Sequence, residues 1–473
     1  MTNPQPNLDP DESVDIATAG EASAELVEAR QQERLDDTVA GSSARHDPYA
    51  AIRDRNYQFF AGGWVFASMG LQMQQTALFW EVYERTHDPL SLGFVGVARA
   101  LPVLALALPA GQIVDMVDRR RVLLWTQVAF AGASVLLAIG SHLHAGMLWI
   151  YALITLTGCA RVFNGPSRSS LLPLIVKREH FHNAVTWNSG LFHLSAVLGP
   201  LVAGAMIAWT GTAWPVYAVT VASCLWFAVA CTFIRPYQRQ EAVKDGRTIW
   251  SVAHPAVLLP GMLQGARHVW HEKTVLGALT LDLFAVLLGG ATALLPVYAK
   301  DILEVGPFGL GMLKSAQFVG ALVMALVLAH LPPFSRSGRT LLWSVAGFGL
   351  CWILFGISRS FVLSLVLLFA LGALDGISVV IRHVLVNVRT PDALRGRVNA
   401  VNSVFIESSN ELGAFESGAA AKGFGALLGS SIAGAVWSVV TGGIGTVLVV
   451  GVVALWLPEL RKLGRLEEPA EKR

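Results

Sequence analysis

Charge is scarce in this chain of 473 residues: Asp, Glu, Lys and Arg make up 14% of it, against roughly 25% in a typical soluble domain. Combined with 53% hydrophobic residues and a mean hydropathy of +0.53, that shortage excludes an ordinary water-soluble fold. Cysteine is nearly absent. The four present, Cys159, Cys224, Cys231 and Cys351, all lie in apolar runs, with neither metal-ligand spacing nor the pattern of a disulfide framework, and are expected to be packing residues. A basic excess is also missing, since the formal net charge is +2, so nothing favours nucleic acid as a partner. The N-terminus lacks a basic segment followed by an apolar one, so no cleaved signal peptide is expected and the first span should act as the signal. No nucleophile–base set or metal cluster appears, and the chain is expected to be no enzyme, with no catalytic residue, metal or other cofactor.

What is abundant is apolar sequence punctuated by glycine and tryptophan, 45 and 14 residues respectively, which suits helix contacts and interfacial anchors in a membrane. Residues 1–50 differ. They hold 11 acidic and 3 basic residues and no aromatic before Tyr49, a composition unable to bury enough surface to offset the entropy of ordering, and are expected to form a disordered acidic cytoplasmic tail. From Tyr57 onward, stretches able to cross about 30 Å of hydrocarbon recur twelve times, from 57–83 to 432–456, and include 147–167, 274–299, 361–381 and 398–421. Lipid forces each segment to satisfy its own backbone hydrogen bonds, which makes them helices. The predicted fold class is therefore an all-α membrane protein with twelve transmembrane helices in two six-helix bundles.

Placing residue 50 inside puts 23 Lys and Arg on the inner connections, including Arg382, and four on the outer ones, Arg85, Lys300, Arg359 and Lys422. By the positive-inside rule both termini face the cytoplasm. The expected organisation is an N-terminal bundle at 51–234, a cytoplasmic linker at 235–273, a C-terminal bundle at 274–458 and a short cytoplasmic tail at 459–473. The halves resemble each other: Asn183-Ala184-Val185 and Asn399-Ala400-Val401 open the fifth and eleventh spans, and at a related offset Gly158 matches Gly372 and Arg161 matches Asp375. Internal repetition of this kind marks secondary transporters with a site between the repeats.

A charge at the bilayer centre costs about 2.5–3.5 kcal/mol even on the gentler insertion scale, so ionisable residues within spans carry function by default. They are Arg99, Arg161, Asp282, Lys314, Asp375, Glu407 and Glu411. At 1.5 Å per residue, Arg161 and Asp375 both fall roughly 21 Å from the outer surface, so these two pseudo-equivalent residues are expected to meet in a wet central chamber, with Asp282 near their level. Glu407 and Glu411 share a helical face. They repel when both are ionised, and a proton on either relieves the repulsion, as a proton carrier requires.

Gly111-Gln112-Ile113-Val114-Asp115, followed by Arg119 and Arg120, resembles the loop after the second span in the major facilitator superfamily, with Met116 and Asp118 departing from its pattern. The resemblance implies a gate formed by Gly111, Asp115, Arg119 and Arg120. Arg161-Val162-Phe163-Asn164-Gly165 is similar to the superfamily's span-four motif, which implies a part in proton coupling for Arg161 and its neighbour Asn164. The stretch around Gly199, Pro200 and Gly204 is similar to the span-five motif of antiporters. Asn164-Gly165-Pro166-Ser167-Arg168, Arg389-Thr390-Pro391-Asp392-Ala393-Leu394-Arg395-Gly396-Arg397 and Asn410-Glu411-Leu412-Gly413-Ala414-Phe415-Glu416 resemble the enterobactin-exporter branch, which also includes macrolide-efflux-like proteins. The likeness covers about residues 51–462.

These readings imply a proton-coupled exporter of a siderophore-like or drug-like amphiphile in the inner membrane, a monomer whose substrate and proton-coupling residues are Arg161, Asp282, Asp375, Glu407, Glu411 and Asn164. A lysophospholipid or metabolite importer on the same fold is the alternative, and a non-transporting receptor or scaffold is the alternative of another class.

Overall fold

A computed structural model describes residues 47–237, 255–332 and 334–464. The acidic tail expected at 1–50, apart from its last four residues, and the far C-terminal residues from 465 onward lie outside the described residues. The rest is helical, with no strand among the described residues.

Twelve long helices follow in order: α1 (Arg55–Thr86), α2 (Pro89–Met116), α3 (Arg119–His142), α4 (Met147–Ile175), α5 (Phe181–Thr210), α6 (Trp214–Phe233), α7 (Lys273–Gly289), α8 (Gly306–His330), α9 (Ser337–Ile357), α10 (Phe361–Arg389), α11 (Asp392–Leu428) and α12 (Ser431–Trp456). Most are separated by short links, and longer ones join α6 to α7 and α7 to α8. Asp54, Asp88 and Asp118 each cap the next helix by accepting from its first backbone N–H groups, which satisfies donors that no intrahelical carbonyl reaches. Asp118, at odds with the superfamily pattern, therefore has a local structural role. Within 235–273, the helix Pro255–His271 precedes α7 and lies against α11, where Val269 packs with Val398.

Ten of the twelve are long and apolar enough to cross a membrane; α1 and α11 are long but more polar. Their polarity is concentrated in Gln72, Gln74, Gln75 and Glu81 of α1 and in Glu407, Asn410, Glu411 and Glu416 of α11. A helix tolerates such residues inside a bilayer only when neighbours or water cover them. Here α1 packs on α5 and α6, and α11 packs on α2, α7 and α12.

Helices α1–α6 pack among themselves, as do α7–α12, in the manner of two bundles. In the first, Phe60 meets Phe227 edge-on with ring centroids 6.1 Å apart; in the second, Tyr298, Trp352 and Phe355 form an aromatic cluster, with 4.6 Å between the centroids of Tyr298 and Phe355. The bundles join through α2 against α11 and α5 against α8. The odd face of the molecule carries the α1–α2, α3–α4, α5–α6, α7–α8, α9–α10 and α11–α12 links, and the even face carries the remaining links.

Several helices outrun their expected spans. The run at 147–167 continues to Ile175, 361–381 to Arg389, and 398–421 extends at both ends to Asp392–Leu428. In contrast, the span expected at 274–299 is broken. α7 ends at Gly289, a 3-10 turn covers Ala291–Leu294, and a wider π turn covers Tyr298–Ile302. The adjacent Gly289 and Gly290 carry little helix preference, and a side chain at Gly290 would strike the α11 backbone at Gly413.

Candidate functional site

Four charged side chains meet where α2 and α4 face α11. Arg161 donates through Nη2 to both carboxylate oxygens of Glu407, at 3.0 and 3.4 Å, and its Nη1 stands 3.9 Å from Glu411. Arg99 reaches Glu411 at 3.3 Å. The N-terminal bundle thus supplies two arginines and the C-terminal bundle two glutamates, and the group is neutral. Its two ends differ in exposure. Arg161 and Glu407 are 47% and 41% exposed, whereas Glu411 is 7% exposed.

The partner of Arg161 is therefore Glu407, and the expected meeting of Arg161 with Asp375 does not occur. Depth along a helix axis places two residues at one level but says nothing of the direction in which each points. Asp375 turns into the C-terminal bundle, where it lines a cavity with Asp282, Ser344 and Ser378 between α7, α9 and α10. Asp282 is paired with Arg382, also inside that bundle and 7% exposed. The apolar run ends at 381 and places Arg382 with the inner connections, but α10 continues past it. A carboxylate and a guanidinium buried together satisfy one another where either alone would be costly.

Asn164, expected beside Arg161 in the coupling set, is 6% exposed and donates to Thr126 Oγ1 at 3.0 Å. Its amide ties α4 to α3 rather than facing the other bundle. The gate residues make contacts within the N-terminal bundle: Arg119 pairs with Asp115 at 3.1 Å and donates to the Ser170 carbonyl, while Arg120 donates to the carbonyls of Cys231 and Thr232 at the end of α6. Cations there satisfy terminal carbonyls and the negative end of the helix dipole. A side chain at Gly111 would meet open space.

Gly199, Pro200 and Gly204 sit in the tightest contacts of α5. Gly199 lies against Met69 and Gln72 of α1, and Gly204 lies against Pro307, Phe308 and Gly311 of α8. Any side chain at Gly204 or Gly311 would collide with backbone of the opposite helix, so glycine sets how closely the bundles approach. Ser315 adds a hydrogen bond to the Val197 carbonyl at 2.6 Å.

The odd face carries further links between bundles. Tyr83 donates to Asp301, Lys300 binds Glu84 at 2.8 Å and approaches His87 at 3.0 Å, and Lys422 binds Asp88 at 3.0 Å. Below them Lys314 of α8 places its ammonium 4.8 Å from the centre of the Phe79 ring, a cation–π contact. Glu81, buried at 7% exposed and bound by Arg85 and by Tyr217 at 2.6 Å, was missing from the expected set. It lies inside the first span and meets the criterion of intramembrane charge. Arg168 stacks over Trp64 at 3.8 Å. Among the described residues no three or more His, Cys, Asp and Glu gather as a metal site would need.

Two bundles of membrane-length helices, joined by charges that cross their interface, define a membrane transporter of the major facilitator type. Residues 46–457 match the family described as "Transmembrane secretion effector", and the chain belongs to that family. It is 27% identical over 406 residues to the "Multidrug efflux pump Tap" of Mycolicibacterium fortuitum, covering 82% of this chain and 92% of that one. It is 24% identical over 383 residues to the "Enterobactin exporter EntS" of Shigella boydii serotype 18, covering 81% and 87%. Among solved structures, a D-xylose-proton symporter superposes with a TM-score of 0.64 at 14% identity over 88% of this chain and 100% of that one. A bacterial homolog of the human lysosomal transporter Spinster, inward-facing and unoccupied, superposes at 0.63 and 12% identity over 86% and 98%. Such identities carry the fold alone. The chain is a multi-pass membrane transport protein and not an enzyme.

Proposed function

We propose that this protein is a proton-coupled exporter of a drug-like or siderophore-like amphiphilic small molecule, a monomer in the inner membrane that works by alternating access with its even face and both termini in the cytoplasm. The proton gradient is its driving force, and no cofactor takes part. The orientation is supported by charge. The even-face links and the helix ends beside them carry Arg119, Arg120, Arg121, Lys177, Arg178, Arg336 and Arg339, against few cations on the odd face, and the asymmetry survives the transfer of Arg382 into a helix. The cargo class and direction are supported by the two efflux relatives.

The observation that carries the reading is the neutral cluster of Arg99, Arg161, Glu407 and Glu411 between the bundles. Contacts on the odd-face side of it hold α2 against α11 and α5 against α8. On its other side Arg161 and Glu407 stand exposed, as charges in mid-membrane do only in water, which supports a wet central space reached from the even face. A pair this exposed is worth about 0–1 kcal/mol, little enough for a polar group of the cargo to replace. Cargo entering from the cytoplasm competes for Arg161 or Glu407, loosens the link between α4 and α11, and lets the bundles rock open on the odd face. External protons then neutralise Glu407 and Glu411, weaken the hold on cargo and favour its release. Return to the even-face-open state and loss of the protons re-form the ion pairs.

The test is transport into proteoliposomes with an acidic lumen, with the even face outward, using a fluorescent cationic dye and an iron-free tris-catechol as probes. Gradient-driven accumulation of at least one probe is expected, together with its loss when an ionophore collapses the gradient. The Glu407→Gln variant should lower the rate about tenfold, equivalent to about 1.4 kcal/mol. Accumulation indifferent to the gradient would rule out proton coupling, and absence of flux for both probes would rule out this cargo class.

A further inference from the structure

The cavity inside the C-terminal bundle is separate from the cluster between the bundles, and its lining has an unusual chemistry for an apolar interior. A cavity of about 10 Å³, room for a single small ion or water, lies between α7, α9 and α10, bordered by Asp282, Val286, Ser344, Asp375 and Ser378. Two carboxylates and two hydroxyls thus face one small volume. Asp282 is answered by Arg382. Asp375 has no ion pair or hydrogen bond among the described residues, which leaves one negative charge to be met. Ser378 is 4% exposed, and its hydroxyl has no hydrogen-bond partner among the described residues. Its oxygen is thus free to take a ligand in the cavity. The helix that brings Asp282 to the cavity also ends there: Val286 is in the last turn of α7, before the break at Gly290. The final carbonyls of a helix lack intrahelical donors and form the negative end of its dipole, and broken helices in transporters use such ends to hold cations.

We propose that this cavity binds one sodium ion, with Asp375, Asp282, Ser344 and Ser378 supplying oxygen ligands. Two features select this ion. The residual charge is a single negative one, so a divalent ion would leave the site positive, and the third carboxylate that such ions commonly recruit is absent. All donors are hard oxygens, which suit alkali and alkaline-earth ions rather than soft metals. The site lies within one bundle, so its ligands stay together while the bundles move against each other.

The inference concerns binding and stands whether or not the protein exports. The test uses the full-length purified protein and radioactive sodium at neutral pH, with choline replacing sodium in the controls. Saturable binding of one sodium ion per chain is expected, together with a higher melting temperature in sodium chloride than in choline chloride. Asp375→Asn should abolish the binding, and Ser378→Ala should weaken it about tenfold, or about 1.4 kcal/mol. Glu407→Gln, in the other cluster, should leave sodium binding intact. Reaction of Asp375 with a hydrophobic carbodiimide, read by mass spectrometry, provides a second measurement and should be suppressed by sodium but not by choline. Absence of sodium binding in the wild-type protein overturns the proposal. Labelling of Asp375 that responds to pH and not to sodium also overturns it, and makes the cavity a proton site.

Discussion

Of the arginine–carboxylate pairs within the membrane-spanning part of this molecule, two have opposite settings. Arg161 and Glu407 belong to different bundles and are about half exposed; Arg382 and Asp282 belong to one bundle and are buried, with side chains 8% and 9% exposed. In water the mutual attraction is largely screened and the pair is cheap to open. In the interior each charge depends on the other, because desolvation is not recovered if one is removed. The same chemistry therefore serves as a breakable link in one place and as a fixed brace in the other.

The largest effect should come from breaking the brace. Arg382→Met leaves Asp282 buried without its counterion and should cost about 3–5 kcal/mol of stability, seen as a lowered melting temperature in detergent. The double variant with Asp282→Leu should recover most of that loss; equal damage in single and double variants would mean that the pair does not act as a unit. The link between bundles should behave differently. Arg161→Ala should lower gradient-driven transport about tenfold, or about 1.4 kcal/mol, while changing the melting temperature little, and exchanging the charges at 161 and 407 should restore part of the rate. Destabilisation as large as that of Arg382→Met would erase the distinction.

A steric change probes the same interface without touching a charge. At Gly311 a leucine side chain meets the Pro200 carbonyl, and overpacking costs about 1–3 kcal/mol. Spin labels on the odd-face ends of α2 and α11 should then report a greater separation than in the wild type. The smallest effect belongs to the exposed links on the odd face. Lys422→Ala removes the contact with Asp88 and should shift the same distance distribution by no more than about 1 kcal/mol. A shift as large as that of Gly311→Leu would show that these surface pairs, rather than the glycine contacts, hold that end together.

Much of the fold was legible because lipid imposes a simple rule. A run of apolar residues long enough to span must be a helix, so the long helices could be read along the chain despite errors at their ends. The break in α7 was legible in principle, since Gly289 and Gly290 are adjacent, but hydropathy passes over it. The site was legible in part. Arg161, Glu407, Asp282 and Asp375 stood out as charges in apolar surroundings, yet their pairing did not. Arg161 was matched to Asp375 by depth and repeat position, and Arg382 was assigned to a loop because hydropathy ends a span at the first charge. α10 continues because Asp282 of α7 provides a partner beyond that point.

The amino-acid sequence alone determined that this protein is a helical membrane protein, which segments cross, and which rare charges demand an explanation. Each of those follows from the cost of exposing a polar group to hydrocarbon, a property of a residue and its near neighbours. Which charges meet was decided by tertiary structure. A helix apolar on most sides carries no periodic mark of the face that turns inward, so the direction of Arg161 toward Glu407, and of Asp375 into its own bundle, is set only when neighbouring helices pack.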